Sequence, residues 1–480
     1  MRIKYKRKDL DRVFERIVLA STKDAQKGII EGALRKMQLA ARVQYNVNST
    51  YSDSRLERLI LKLSDQLLPE VNTYQPQSQK ILFYDYFGIS NRGLTQQYLD
   101  ALFQKEGIEV VYVLESEPTE KTERIYGLLE AHSCRKYVLS SQTKEGKIKV
   151  LYDIISKEQP STIFYHISPW SPVPLVGTAP FTKVRKVLIN ITDHAFGLGD
   201  GHFFDESFEF REYGCKVSLE KRDYQQKQLR LLPYYPWQET VTFQGFPIDT
   251  SGKVVLFSGA YLYKIEDPGN TFFHIVSRIL NDNPDAVMLF AGGGDSTRLQ
   301  SLIAKNNLSN RFVLLGNRTD ISEVFKNIDI YIGTYPYIGG LMTQYAAING
   351  KPILAYKDHD IEKIVCNKNQ TRFVYDTIDE LTAEAKRLIS DIKYRNERSK
   401  VFLSLTNSQH DFRQKFWELV ENRITPILKK EESIDYDEFC QKYIDLINIS
   451  NNSRFERQIF KDCPTSIHWK MLLNIMLNLF

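Results

Sequence analysis

The sequence has no apolar run of the roughly 20 residues that a membrane-crossing helix requires. Its opening stretch, MRIKYKRKDLDRVFERIV, has no apolar region ahead of a small-residue cleavage site, so secretion is not expected and a cytoplasmic location is. Cysteine is scarce. The five present (Cys134, Cys215, Cys366, Cys440 and Cys463) are scattered, with no CxxC pair and no Cys/His cluster, which excludes a disulfide framework and a zinc site. No G-x-G-x-x-G follows an apolar strand, and no acidic residue closes the second strand of that unit where a nicotinamide ribose would be held. G-x-x-x-x-G-K-[ST] is missing too, which removes the P-loop nucleotidases. No fixed-period repeat suggests a solenoid.

What is present fits a globular protein: 42% hydrophobic and 26% charged residues in a chain of 480, long enough for two α/β domains with helical additions. The net charge of +5 is uneven. Residues 1–36 hold eleven Lys/Arg against five Asp/Glu, so this leader carries +6 and the rest of the chain −1. A basic helical leader is either a solvated face or a contact for an anionic surface, here the inner face of a membrane. Nucleic acid is not expected as a partner, because no nucleic-acid-binding motif accompanies the charge.

Residues 1–75 read as a helical extension, with Leu56, Leu59, Ile60, Leu63 and Leu67 at helical spacing, and Glu70 to Lys80 as a linker. Residues 76–240 read as a Rossmann-like domain with strands Lys80–Tyr86, Val110–Leu114, Ser161–His166 and Val184–Ile191. The Pro- and aromatic-rich stretch Leu231 to Lys253 reads as an interdomain crossing. Residues 250–378 read as a second Rossmann-like domain. Its strands are Val254–Ser258, Ala286–Ala291, Phe312–Leu315, Ile328–Ile332 and Pro352–Tyr356, and its helices lie near Thr271–Asn281, Thr297–Lys305, Ile321–Phe325 and Leu341–Ile348. Residues 379–480 read as a helical region whose last apolar stretch, WKMLLNIMLNLF, is a packing helix. The fold class is therefore α/β, two Rossmann-like domains facing across a cleft.

In such sheets ligands bind beyond the carboxyl ends of the strands. In the second domain those ends carry Gly259 and Lys264, then Gly292–Gly293–Gly294, then Asn317 and Arg318, then Tyr335 ahead of Gly339–Gly340, which open a helix with Thr343 in its first turn. Small-residue turns, a lysine and a helix N-terminus together make an anion site. In the first domain the strand ends carry Asn91, Arg92 and Gly93, then His166, then Asp193–His194. Neighbours in an extended segment point to opposite faces, so Asp193 and His194 are not expected to enter the site together. A histidine there is suited to remove a proton from an acceptor hydroxyl.

The stretches VLFSGAYLYKIEDP, RFVLLGNRTD and IDIYIGTYPYIGGLMTQYAAINGKPILAY resemble the donor domain of GT-B glycosyltransferases, in particular the protein O-GlcNAc transferase and bacterial N-glycosyltransferase group. The likeness spans roughly residues 250–360. It implies that Lys264 grips a donor diphosphate, with Gly339, Gly340 and Thr343 at the helix N-terminus. Gly259, Gly293, Asn317, Arg318, Tyr335 and Gln344 complete the donor side. Asn91, Arg92, Gly93 and His166 line the acceptor side. The string DHAFGLG is similar to a segment of bacterial polysaccharide glycosyltransferases and marks His194 as the catalytic candidate. One departure stands out: where the family places a carboxylate for the ribose hydroxyls, this chain has Gln344 and Tyr345. No DxD-type carboxylate pair stands at a strand end, so neither a metal nor a cofactor is expected. The donor is a nucleotide-sugar substrate, expected to be a UDP-sugar, and the acceptor a glycan, lipid-linked or protein group. Two alternatives remain open: a catalytically silent GT-B partner subunit of a transferase complex, and a sugar-nucleotide epimerase of the same fold.

Overall fold

The computed structural model describes residues 3–71, 73–89, 94–238, 240–358, 372–405, 408–428, 433–449 and 454–477. By its internal contacts the chain forms two compact units, 1–232 with 413–480, and 233–412. The helical region expected at 379–480 is thus shared. Ile378–Ser390 and Ile392–Leu405 belong to the second unit, and the helices from Tyr436 onward belong to the first.

The first unit opens with helices Arg7–Gln26, Ile30–Val47 and Ser54–Leu67. In the first, Leu10, Val13, Phe14, Ile17 and Val18 recur at three and four residues and are buried, as an amphipathic helix requires. The third starts at Asp53, whose carboxylate accepts the N–H groups of Arg55 and Leu56. These helices share one apolar core with the sheet that follows.

That sheet has seven strands: β1 (Gln77–Asp85), β2 (Glu109–Leu114), β3 (Arg135–Val138), β4 (Pro160–His166), β5 (Arg185–Asn190), β6 (Glu206–Glu209) and β7 (Leu229–Leu231). All pairings are parallel, in the order β3-β2-β1-β4-β5-β6-β7. Strand β1 begins at Gln77, which shortens the expected linker. Strands β3, β6 and β7 were not expected from the sequence, for a physical reason. RKYV lies at the sheet edge, half exposed. ESFE buries two carboxylates that find partners: Glu206 accepts from Arg185 of β5 at 2.8 Å and forms an ion pair with Arg230 of β7 at 2.9 Å, and Glu209 accepts from Asn190, Ser207 and Ser218. Polar residues satisfied in this way read as loop in one dimension.

The second unit has six strands, β8 (Val254–Gly259), β9 (Ala286–Ala291), β10 (Phe312–Gly316), β11 (Ile330–Ile332), β12 (Ile353–Tyr356) and β13 (Val374–Tyr375). They are again all parallel, in the order β10-β9-β8-β11-β12-β13. Both sheets reverse direction of strand order between their first and fourth strands, the doubly wound arrangement that opens a crevice at the carboxyl edge.

Candidate functional site

In the second unit the turns after β8, β9, β10 and β11 are tied to one another by main-chain hydrogen bonds. Ala260 N–H donates to Ala291 O at 3.0 Å and Leu262 N–H to Gly293 O at 2.9 Å, joining the first two turns. Gly292 N–H donates to Gly316 O at 2.8 Å, joining the second and third. Tyr337 N–H donates to Lys264 O at 3.3 Å, joining the first and fourth. One continuous rim results. It brings together Gly259, Lys264, Gly293, Asn317, Tyr335, Gly339, Gly340 and Thr343, which lie up to 84 positions apart in the sequence.

Backbone proximity explains the glycines. A Cβ at Gly292 would stand 1.7 Å from Ala260 O, and one at Gly293 would stand 2.9 Å from Asn317 Oδ1. At Gly339 an added Cβ would meet Gly259 O and the Met342 side chain at 3.8 Å, an ordinary contact distance, so the turn could accommodate it. Gly339 caps the helix Gly340–Ile348 and, as a glycine, contributes no side-chain acceptor to its first N–H groups. A helix start of this kind presents unpaired N–H groups and the positive end of the helix dipole. Lys264 is half-buried on the short helical turn Leu262–Ile265.

Other expected donor residues are committed within the unit. Arg318 makes a two-pronged ion pair with Asp320, at 2.7 and 2.6 Å, and donates to Gly245 O at 2.8 Å. This pairing outweighs the rise that burial alone would give the Asp320 carboxyl and holds it below the usual carboxylate range. The Thr343 hydroxyl is buried and donates to Gly339 O at 3.1 Å, back into its own helix. Tyr335 stacks edge-on against Tyr356, with centroids 5.0 Å apart. Gln344 and Tyr345 hold the stretch Leu231 to Lys253. Gln344 Nε2 donates to Tyr234 O, and Tyr345 Oη donates to Trp237 O at 2.8 Å.

In the first unit the carboxyl ends of β1 and β4 assemble a polar cluster on strands that pair in register at Asp85 and His166. His166 Nδ1 lies 3.0 Å from Asp85 Oδ1; Tyr112 Oη and Thr95 Oγ1 donate to Asp85 Oδ2 at 2.8 and 3.1 Å. Phe87 N–H donates to Asp85 Oδ1 at 3.0 Å. Burial by itself would raise the Asp85 carboxyl, but the imidazole, the tyrosine hydroxyl and this N–H outweigh it and hold Asp85 below the ordinary carboxylate range. His166 Nε2 is buried and has no hydrogen-bond partner among the described residues. Sequence reasoning named His166 but missed Asp85, Thr95 and Tyr112. An acid closing the apolar run KILFYD was the available signal.

His194 sits elsewhere in the same unit. Residues 193–194 form a turn rather than an extended segment, so the expectation of opposite faces does not hold: His194 Nδ1 lies 3.3 Å from Asp193 Oδ1. Asp193 is buried and pairs with Arg211 at 2.5 Å; burial opposes ionisation, but the guanidinium outweighs it and keeps the carboxylate ionised. The rings of Tyr45, Phe439 and Tyr443 stand 6.1–6.4 Å from the imidazole. Asn91, Arg92 and Gly93 lie outside the described residues. Among the described residues, Asp200, His202 and Asp223 form a group with ligand atoms within 4.8 Å of one another. It belongs to the first unit, and the sequence reading did not find it.

Residues 252–391, which contain all four joined turns, match the protein family described as Glycosyl transferases group 1. No curated protein matches the chain. Among solved structures, HepE of Anabaena in complex with UDP and glucose is 15% identical, covering 72% of this chain and 100% of that one at a TM-score of 0.56. A mutant O-GlcNAc transferase of Thermobaculum terrenum is also 15% identical, covering 88% of this chain and 83% of that one at 0.53. A TarM mutant of S. aureus, solved with UDP and sugar ligands, is 9% identical, covering 72% and 100% at 0.54. The fold is that of the GT-B glycosyltransferases, as the sequence resemblance implied.

Proposed function

We propose that this chain, with its GT-B fold, transfers a sugar from a UDP-sugar to a hydroxyl of a glycan, lipid-linked or protein acceptor, with no metal in the reaction. The observation that carries this reading is that the segment matching glycosyltransferases, residues 252–391, contains the whole rim of joined turns. Lys264 and the helix start at Gly339–Gly340 supply a cation and N–H donors suited to a diphosphate. They would stabilise the charge that builds on it as the bond to the anomeric carbon breaks. The HepE and TarM structures that share the fold hold UDP, which favours uridine in the donor.

Two histidines hold an aspartate on Nδ1, His166 with Asp85 and His194 with Asp193; for the acceptor step we place the base at His166, because it ends the strand at the switch point of the sheet. The Asp85 carboxylate fixes the imidazole through Nδ1, leaving Nε2 to take the proton of the acceptor hydroxyl as its oxygen bonds to the anomeric carbon and the diphosphate departs. A carboxylate on one ring nitrogen orients the ring and fixes which nitrogen faces the substrate. The direct experiment is a thermal-shift screen of nucleotide sugars followed by turnover assays with the hits. A chain that neither binds nor turns over any UDP-sugar would refute the proposal.

A second reading, a catalytically silent partner of an active transferase, rests on Gln344 and Tyr345. Their side chains are engaged with Tyr234 and Trp237 where the family would hold a ribose. Donor binding without hydrolysis or transfer by the purified chain would favour it.

A further inference from the structure

The last described helix, Trp469–Leu477, turns an apolar stripe outward. Trp469, Leu472, Leu473, Met476 and Leu477 are spaced at three and four residues and are 56, 39, 37, 55 and 50% exposed. Its opposite face, Met471 and Asn474, is buried. The sequence reading made this a packing helix, and only half of that is realised. A stripe of five large apolar side chains in the open is uncommon on a monomer and marks an interaction face.

The helix is anchored beside the basic start of the chain. Asp9 pairs with Lys470 at 2.5 Å and with His468 at 3.6 Å. Asn474 clamps the first described residue, accepting from Ile3 N–H at 2.7 Å and donating to Ile3 O at 3.0 Å. Asn448 does the same for Tyr5, at 2.7 and 3.1 Å. On the helix Arg7–Gln26, the residues Lys8, Arg12, Arg16, Leu19 and Lys23 are all exposed and follow one another at helical spacing. Lys470, whose ammonium group lies 5.9 Å from the centre of the Trp469 ring, places a further cation at the root of the apolar helix.

We propose that the stripe Trp469–Leu477 and the basic face Lys8–Lys23 together form a docking surface for an anionic lipid bilayer. The charge decides the occupant. An apolar helix face flanked by a leader carrying +6 complements a negatively charged interface, where apolar side chains enter the acyl boundary and Lys/Arg meet the headgroups. A second copy of this chain would bring the same positive charge against itself.

The test uses the full chain and sedimentation with two vesicle types, phosphatidylcholine alone and phosphatidylcholine with about 30% phosphatidylglycerol. The protein is expected to sediment with the anionic vesicles and to be released by raising salt. The double variant Trp469→Ser/Leu473→Ser and the double variant Arg12→Gln/Arg16→Gln should each lower the bound fraction at least about tenfold at unchanged Tm. Absence of binding to anionic vesicles overturns the proposal, as does binding that neither pair of substitutions alters. Analytical ultracentrifugation supplies the remaining outcome: a dimer abolished by Trp469→Ser/Leu473→Ser would assign the face to self-association instead. None of these readouts depends on sugar transfer, so failure here leaves the catalytic reading standing and the reverse also holds.

Discussion

Asp85 Oδ1 and His166 Nδ1 lie 3.0 Å apart, on residues that face each other in register across the β1–β4 pair. That pair is where the strand order of the first sheet reverses, so the dyad stands at the carboxyl edge of the switch point, where doubly wound sheets bind ligands. If the dyad removes the acceptor proton, His166→Ala lowers turnover by about 10²–10⁴-fold. Asp85→Asn, which removes the carboxylate that fixes the ring through Nδ1, lowers turnover as well. Donor affinity stays the same in both, because the proposed donor residues all belong to the other unit. His194→Ala, which empties a ring-lined niche, should lower Tm more than it lowers turnover per folded molecule. Full activity in His166→Ala would return the base to His194.

Lys264→Ala is expected to weaken UDP-sugar binding by about 1.5–3 kcal/mol, the usual worth of a hydrogen bond to a charged group. Calorimetry with UDP measures it, and an unchanged Kd would remove Lys264 from the donor site. In the same assays turnover in excess EDTA should equal turnover with magnesium; a loss restored by added metal would argue against Lys264 and the helix start as the diphosphate's counter-charges.

Two glycines of the rim should respond in opposite ways. Gly292→Ala places a Cβ against Ala260 O and forces the turn to move, so Tm falls. Gly339→Ala meets nothing closer than 3.8 Å and keeps Tm; if the helix start holds the diphosphate, a methyl group on its capping residue weakens UDP binding. Equal loss of stability in the two variants would contradict this geometry.

Lys186 gives a pH test of the first unit. Its ammonium group is buried with Phe203 4.7 Å away, and burial lowers it to about 8, with Asp205 opposing. Below about pH 8 both folded and unfolded chains hold the proton, and the folded state bears the full cost of a buried charge. Between there and the ordinary lysine value of about 10.4 the unfolded chain holds more protons, so stability rises with pH. Lys186→Met should therefore raise Tm near neutral pH, by the equivalent of at most about 3 kcal/mol. The advantage should shrink as the pH approaches 10. Thermal melts across that range decide it, and a pH-independent gain would mean that the lysine is solvated.

The apolar runs KILFYD, VVLFS and AVMLFA were enough to place inner strands of both sheets from the sequence, because a strand buried on both faces must be continuously apolar. Strand ESFE was not legible, since its carboxylates are balanced by Arg230 and Asn190 from neighbouring strands. Nor was the choice between histidines. His166 and His194 both follow a strand in the sequence and both meet an aspartate through Nδ1; only the fold puts one beside Asp85 of the neighbouring strand and the other among Tyr45, Phe439 and Tyr443. The fate of Gln344 and Tyr345 was likewise decided by the crossing segment that returns over their helix. Periodicity and composition determine which residues must leave water, and so the elements and their order. Which polar groups meet is set by residues distant in the chain, and only tertiary structure brings those together.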